Sequence, residues 1–452
     1  MHTKRLLIIV DIALSAFAVL FAYPDLNTGG FRLQNILTGL DYRVFPFILL
    51  VVLSSFLMEL YSHERFVDFK VHSSRILLAM ILAFLMLPSF YFFMPCLSFD
   101  RILLFKSIAI FSIMQLVWHK AYHDIAGAPG LAQRVLVLGS GPLAEKIGGV
   151  LTSTKTNYSL LGFVAMPNKP ASVVQEKILG DSDALVEIAK SSNAQKLVVS
   201  LGERRGFFPL QEVLSCKFLG LEVVDATSFY EEITGKLLIE NMTPSALIFS
   251  RGFRITETKK YYKRILDVSC STLGLLLTLP VVPIIALLIK LDSKGPIFFK
   301  QIRVGEGEKT FVVFKFRTMR QDAEKNTGAV WAQKNDTRVT KLGSFLRKTR
   351  LDEIPQLFNI LRGDMSFIGP RPERPEFVEE LKRDIPFYSE RHFVKPGLTG
   401  WAQIRYPYGA SVEDALEKLR FDLFYIKNMS VLFDLYIILE TVKVILFRRG
   451  SR

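Results

Sequence analysis

Apolar residues cluster along this chain in four early runs: Leu6 to Tyr23, Val44 to Tyr61, Ile76 to Met94 and Ile102 to Trp118. Each is about long enough to cross the hydrocarbon core of a bilayer. The first is not expected to be a cleaved signal, because no small-residue cleavage site follows it and three more runs come after. Residues 1–5 hold Lys4 and Arg5, and the second loop holds Arg65, Lys70 and Arg75, whereas the first and third loops carry only Arg32, Arg43 and Arg101. The excess of cations on one side predicts four spans, with the N-terminus and residue 119 onward in the cytoplasm. Asp11 and Lys106 interrupt the runs; a bundle-internal ion pair or a snorkelling head group accounts for them as well as a functional role does. His119 and His123 are spaced i, i+4, but they flank a membrane exit beside Lys120 and Tyr122. They read as interfacial residues rather than metal ligands.

From residue 130 the pattern changes to short strands alternating with helices. Arg134 to Leu138 predicts a strand, followed by Gly139-Ser140-Gly141-Pro142-Leu143-Ala144 and a helix to Leu151. A G-x-G-x-x-A turn between strand and helix is the context of a dinucleotide site, with Gly139 and Gly141 as weak candidates for phosphate contact. Pro142 removes a backbone N–H that a phosphate would use, and no acidic residue clearly ends a second strand to hold a ribose. Strands at Tyr158 to Ala165, Lys196 to Ser200 and Leu221 to Val224, with helices near Ser182 to Ser191 and Pro209 to Leu219, extend the unit. A Rossmann-like regulatory or dimerisation module without a ligand fits the same residues. Residues 226–256 read as the link out of it.

A fifth apolar run, Ile265 to Leu291, is interrupted by Asp267 and by prolines 280 and 283. Both its flanks are basic: Lys259, Lys260, Lys263 and Arg264 before it, Lys290, Lys294, Lys300 and Arg303 after it. Prolines break a helix and the cations want both ends in the cytoplasm, so a segment that dips in, bends at Pro280 and returns satisfies both facts. Its freed carbonyls need partners, with Thr278 and Ser271 as candidates. The closing run, Val431 to Phe447 followed by Arg448 and Arg449, reads as an interfacial helix with a basic end.

Composition narrows the partners. Half of the 452 residues are hydrophobic, 37 are Phe, and the formal net charge is +14. A basic chain with membrane segments suits phosphates and lipid headgroups rather than nucleic acid. Cys96, Cys216 and Cys270 have neither metal-ligand spacing nor a disulfide pattern.

The densest chemistry lies in Leu346-Arg347-Lys348-Thr349-Arg350-Leu351-Asp352-Glu353-Ile354-Pro355-Gln356-Leu357. Two adjacent carboxylates sit among Arg347, Lys348 and Arg350, with Arg371 further on. Pro355 favours a first helical turn, and Ile354, Leu357, Phe358 and Leu361 recur at helical spacing, so the acidic pair is expected at a helix N-terminus that lowers a carboxylate pKa. An ionised carboxylate beside cations can attack phosphorus or hold a divalent metal that carries phosphates. Taken alone, the same residues also fit a helix cap with a solvated charge cluster.

Further motifs accompany this one: Gly295-Pro296-Ile297-Phe298-Phe299-Lys300-Gln301-Ile302-Arg303-Val304-Gly305, Phe314-Lys315-Phe316-Arg317-Thr318-Met319, Arg362-Gly363-Asp364-Met365-Ser366-Phe367-Ile368-Gly369-Pro370-Arg371-Pro372, and Lys395-Pro396-Gly397-Leu398-Thr399-Gly400-Trp401-Ala402-Gln403. Together, over roughly 259–449, they resemble the catalytic domain of the bacterial sugar transferases, the monotopic phosphoglycosyl transferases that build polyprenyl-diphospho-sugars. The four runs plus the Rossmann-like insert are similar to the family's large form, including exopolysaccharide-associated members. The resemblance implies an α/β plus membrane α-helical fold: four transmembrane helices in 1–120, a cytoplasmic Rossmann-like domain in 130–250, and a mainly α catalytic domain in 257–452 with a re-entrant helix at about 265–291. It also implies transfer of a hexose-1-phosphate from a nucleotide diphosphate sugar, usually a uridine one, to undecaprenyl phosphate at the cytoplasmic membrane. Asp352 matches the family's nucleophile and Glu353 the residue that binds Mg²⁺. Arg371 matches the phosphate-contacting arginine; Lys315, Arg317 and Arg347 match basic supporting positions, and Asp364 an acidic position. Smaller members place Ser-Pro at the bend, where this chain has Leu279-Pro280. The spans and the middle domain are compatible with a homodimer. A membrane-bound nucleotide-sugar dehydratase or epimerase would need a richer glycine fingerprint and a Tyr-x-x-x-Lys pair in the middle domain. A non-catalytic assembly scaffold would make Asp352 dispensable.

Overall fold

A computed structural model describes residues 2–22, 43–58, 60–61, 69–126, 132–153, 158–167, 170–201, 208–242, 244–250, 252–320, 338–406, 409 and 411–446. The chain forms two compact units, Met1–Phe229 and Tyr230–Arg452.

The first unit opens with helices α1 (His2–Ala22), α2 (Val44–Leu57), α3 (Phe69–Phe93) and α4 (Arg101–Ala126). Each of the four expected apolar runs contains a helix, although the second is helical only as far as Leu57. Two of them, over His72–Phe93 and Arg101–Tyr122, are long and apolar enough to cross a membrane, while Leu6–Ala22 and Val44–Leu57 are shorter apolar helices. Asp11 is fully buried between them. Its carboxylate accepts from Tyr61 Oη (2.8 Å) and Gln115 Nε2 (2.6 Å), and lies 3.2 Å from His119 Nε2. His119 in turn meets His72 Nε2 at 2.9 Å. His119 is therefore an interior residue and not the interfacial one the sequence suggests; the buried carboxylate draws it inward, since a buried polar group demands partners. Lys106 is exposed on α4.

The rest of this unit is a five-stranded parallel sheet in the order β3-β2-β1-β4-β5, made of β1 (Gln133–Leu138), β2 (Tyr158–Ala165), β3 (Ile178–Asp181), β4 (Lys196–Val199) and β5 (Glu222–Asp225). Helices α5 (Pro142–Ser153), α6 (Leu185–Ser191) and α7 (Leu210–Phe218) connect them. Val135 to Leu138 and Leu197 to Val199 are all buried, as central parallel strands covered on both faces must be. Strand β3 was not expected. It is four residues long with Gly180 inside it and alternates half-buried with exposed positions, so it carries little hydrophobic signal. The Gly139 turn lies where the strand order reverses. Gly139 has φ +116°, and a Cβ there would lie 2.5 Å from the Ser200 carbonyl oxygen, so only glycine fits.

The division between units falls in α8 (Ala226–Thr234), and α9 (Pro244–Phe249) follows. The expected link at 226–256 is largely structured, because Leu237 and Ile239 are buried in the core of the second unit. Helices α10 (Glu257–Thr278) and α11 (Val281–Asp292) meet at a 63° bend. Thr278 Oγ1 donates to the Gly274 carbonyl (2.7 Å), a back-bond that favours bending, rather than to the Leu276 carbonyl that Pro280 leaves without its helical donor. The Ser271 hydroxyl has no partner among the described residues. Leu273, Leu276, Leu277, Leu279, Ile284, Leu287 and Leu291 are exposed, an apolar surface suited to lipid.

Next come a hairpin of β6 (Phe298–Val304) and β7 (Thr310–Phe316), α12 (Lys341–Lys348) and α13 (Gln356–Arg362). The parallel pair β8 (Ser366–Ile368) and β9 (Gly397–Thr399) encloses α14 (Pro375–Asp384). Helices α15 (Trp401–Arg405), α16 (Val412–Lys427) and α17 (Val431–Leu446) close the unit. Asp267, the carboxylate in the apolar run, accepts from Ser366 Oγ (2.9 Å) and the Phe367 amide (2.8 Å), and so fastens α10 to β8. Asp434 on α17 accepts from Lys263 (3.0 Å) and Tyr425 (2.7 Å). Arg448 and Arg449 lie outside the described residues.

Candidate active site

Arg350 adopts a left-handed backbone, φ +57° and ψ +16°, which turns the chain after α12. Its carbonyl accepts from the Glu353 amide at 3.2 Å. Leu351–Glu353 form a single 3₁₀ turn, and α13 begins three residues after Glu353. The acidic pair thus sits on its own turn before the helix, not on the helix N-terminus the sequence predicts. Within α13, Leu357 and Ile360 are buried, while Phe358 is exposed although its spacing placed it on the apolar face.

Asp352 and Glu353 are both buried, with 8% and 7% of their surface exposed. Around Glu353 stand Arg371 Nη2 at 2.8 Å, Arg350 Nη1 at 3.4 Å and Lys315 Nζ at 3.9 Å. These residues come from three separate segments, so the chain folds to place cations round one carboxylate. Arg347 donates from Nε to Thr318 Oγ1 (2.9 Å), and its charge also acts on Asp352. Arg317 turns elsewhere: its guanidinium donates to the carbonyls of Ile289, Ser293 and Lys294 and closes the C-terminus of α11. Asp364 meets Asn359 Nδ2 (3.4 Å) and Arg362 Nε (3.5 Å). The structure therefore joins Asp352, Glu353, Lys315, Arg347 and Arg371, and gives Arg317 and Asp364 other partners.

The two carboxyls are pushed in opposite directions. Burial, and then the like charge of Glu353, raise the Asp352 pKa against the pull of Lys315, Arg347 and Arg371. Burial also works against ionised Glu353, but Arg371, Lys315 and Arg350 outweigh it and hold that carboxyl well below its usual range. The expected lowering holds for Glu353 and fails for Asp352, because the cations are spent on its neighbour. Burial and the nearby Arg371 depress the Lys315 ammonium. Neighbouring carboxyls driven apart in this way are a common device of active sites.

Three supports hold this geometry, and none was singled out from the sequence. Asn359, fully buried on α13, accepts from the Phe314 amide (3.1 Å) and donates to the Val312 carbonyl (2.7 Å), so it fixes the strand that carries Lys315. Its signal was a polar side chain inside an apolar helical repeat. Gly369, Gly397 and Gly400 let two backbones touch: a Cβ on Gly397 would lie 2.1 Å from the Gly369 nitrogen, and one on Gly400 2.2 Å from the Gly369 oxygen. Buried Arg391 donates to the Arg371 carbonyl (3.0 Å), to Asp422 (2.9 Å) and to Tyr388 Oη (2.7 Å), which anchors the Pro-Arg-Pro loop from behind.

Residues 258–448 match the model of the family described as bacterial sugar transferase. The chain is 33% identical to the UDP-glucose:undecaprenyl-phosphate glucose-1-phosphate transferase of Xanthomonas campestris pv. campestris, over 71% of this chain and 68% of that protein. It is 45% identical to the protein of the same name from Escherichia coli (strain K12), over 68% of this chain and 67% of the relative. This chain belongs to the bacterial sugar transferase family. Another member, the UDP-N-acetylgalactosamine-undecaprenyl-phosphate N-acetylgalactosaminephosphotransferase of Aeromonas hydrophila, is 40% identical over 52% of this chain, and there the match spans only 55% of the relative. The carboxylate pair, its cations and all three supports lie within the family-matched segment. Membership, together with the apolar helices, makes this a membrane-associated protein.

Proposed function

We propose that this chain transfers a hexose-1-phosphate from a UDP-sugar to undecaprenyl phosphate, the first membrane step in building a polysaccharide. The observation that carries the reading is the buried Asp352–Glu353 pair ringed by Lys315, Arg350 and Arg371. The relatives' names supply the substrate classes.

Asp352 acts as the nucleophile. A carboxylate oxygen attacks the phosphorus that bears the sugar. An aspartyl–phosphorus bond forms, the diphosphate P–O bond breaks, and its electron pair leaves on uridine monophosphate. An oxygen of undecaprenyl phosphate then attacks the same phosphorus and frees the aspartate. Arg371 and Lys315 face the charge that develops on the phosphate oxygens. Glu353 keeps Arg371 in place through their 2.8 Å contact.

Two adjacent carboxylates match the number Mg²⁺ takes from a protein when substrate phosphates fill out its shell, and no larger cluster of metal-binding side chains occurs among the described residues. Glu353 would hold the ion, which would supply charge neutralisation at the diphosphate. Placement follows from the same reading: four spans, a bent α10–α11 pair that returns to its side of entry, and a cytoplasmic catalytic unit, where nucleotide sugars are.

Purified protein with undecaprenyl phosphate, Mg²⁺ and a panel of nucleotide sugars is expected to release nucleoside monophosphate over many turnovers only when both substrates are present, and no more than one equivalent per enzyme when the lipid is left out. Without lipid, radiolabelled donor is expected to leave a covalent adduct on Asp352; no adduct would remove the nucleophile assignment. A tag after Arg452 is expected to be reachable only from the cytoplasmic side, and periplasmic labelling would mean that the bent pair crosses.

A further inference from the structure

We propose that Gln403 is a substrate-binding residue, whose side-chain N–H donates to an oxygen of the donor's diphosphate. The inference rests on the sugar-phosphate transfer reading. Arg371 Nη1 donates to Gln403 Oε1 at 3.3 Å. An arginine guanidinium has only donors, so the atom facing it must be the amide oxygen. The other end of the amide is thereby fixed as a donor. That atom, Nε2, is buried and has no hydrogen-bond partner among the described residues. A buried donor left unmet costs about 1–3 kcal/mol, and a native protein seldom keeps one without a use.

Its place identifies the acceptor. Gln403 rides on α15, directly after the Gly397–Gly400 strand that the Pro-Arg-Pro loop touches, and a Cβ on Gly400 would lie 3.7 Å from Nε2. A chain of contacts therefore runs from Glu353 through Arg371 to Gln403 and ends on a free N–H. The cations gathered round Glu353, namely Lys315, Arg350 and Arg371, are all donors. What such a site lacks is an acceptor-rich ligand, and the oxygens of a diphosphate are that ligand.

The test uses full-length protein in lipid nanodiscs, with uridine diphosphate as the binding probe and UDP-glucose with undecaprenyl phosphate for turnover. Gln403→Glu keeps an oxygen toward Arg371 but turns the donor into a carboxylate oxygen. Gln403→Met removes the donor without adding charge. Both are expected to weaken uridine diphosphate binding about tenfold or more, as loss of a hydrogen bond to a charged group should. KM for the nucleotide sugar is expected to rise by a similar factor at an unchanged melting temperature. A residue that only steadied Arg371 would be rescued by Gln403→Glu. Wild-type affinity and KM in that variant would overturn the proposal. If the wild-type protein releases no monophosphate from any nucleotide sugar, the transfer reading fails instead, while the uridine diphosphate comparison still judges Gln403.

Discussion

Two glycine turns in this chain are built alike and have different consequences. Gly139 follows β1, donates to the Val164 carbonyl (2.8 Å) and would push a Cβ to 2.5 Å from the Ser200 oxygen. Gly369 follows β8, donates to the Thr399 carbonyl (2.9 Å) and would push a Cβ to 2.4 Å from the Lys395 oxygen. The first turn runs through Gly141 into Pro142 and a helix. The second runs through Pro370 into Arg371, whose guanidinium reaches a buried carboxylate. Close backbone approach is thus common to both, and reactivity comes from what the next side chain meets. A fingerprint of glycines reports the turn; only the buried charge opposite it reports chemistry.

The comparison breaks most sharply at the nucleophile. Asp352→Asn is expected to cut transfer about ten-thousand-fold or more while the protein still inserts and melts normally; monophosphate release near the wild-type rate would remove the nucleophile assignment. Arg371→Lys keeps the charge but loses the paired contact to Glu353 and Gln403, and is expected to cost about a hundredfold in kcat. The pH profile of adduct formation sharpens the contrast between the two carboxyls. Asp352, pushed up to about 6, must lose its proton to attack, so the rate falls about tenfold per unit below that pH. Lys315, brought down to about 8, loses its charge above it, so the profile should be a bell between these limbs. A flat profile from pH 5 to 9 would contradict the assigned environments. The smallest effect belongs to the other turn. Gly141→Ala meets nothing within 4 Å and is expected to leave transfer within about twofold of wild type, as measured by initial rates.

Much of the site was legible: Asp352, Glu353, Arg347 and Arg371 stood out as adjacent carboxylates among cations, Lys315 was carried over from the family's motifs, and the structure gathers all five. The partners of those charges were not legible. Arg317 carries the same charge as Lys315 and sits two residues away, yet it lies just past the end of β7 and donates to the carbonyls that end α11. Asn359, Asp267 and Arg391 act through contacts as many as 100 residues distant in sequence, and local pattern holds no trace of such pairings. In the fold, long buried strands announced themselves, whereas β3, short and half-exposed, did not. His119 was misplaced because membrane-edge composition outweighed a single buried aspartate far away in the chain.

Arg350 combines two duties that are usually assigned to different residues. Its left-handed backbone is a conformation that glycine adopts without penalty and other residues only at about 1–2 kcal/mol, yet its guanidinium also reaches Glu353. Replacing it with glycine would relax the main chain and take away one of the three cations beside Glu353 in one stroke. Asparagine, which tolerates the same twist but carries no charge, offers an engineer a way to pry apart shape and electrostatics at this corner.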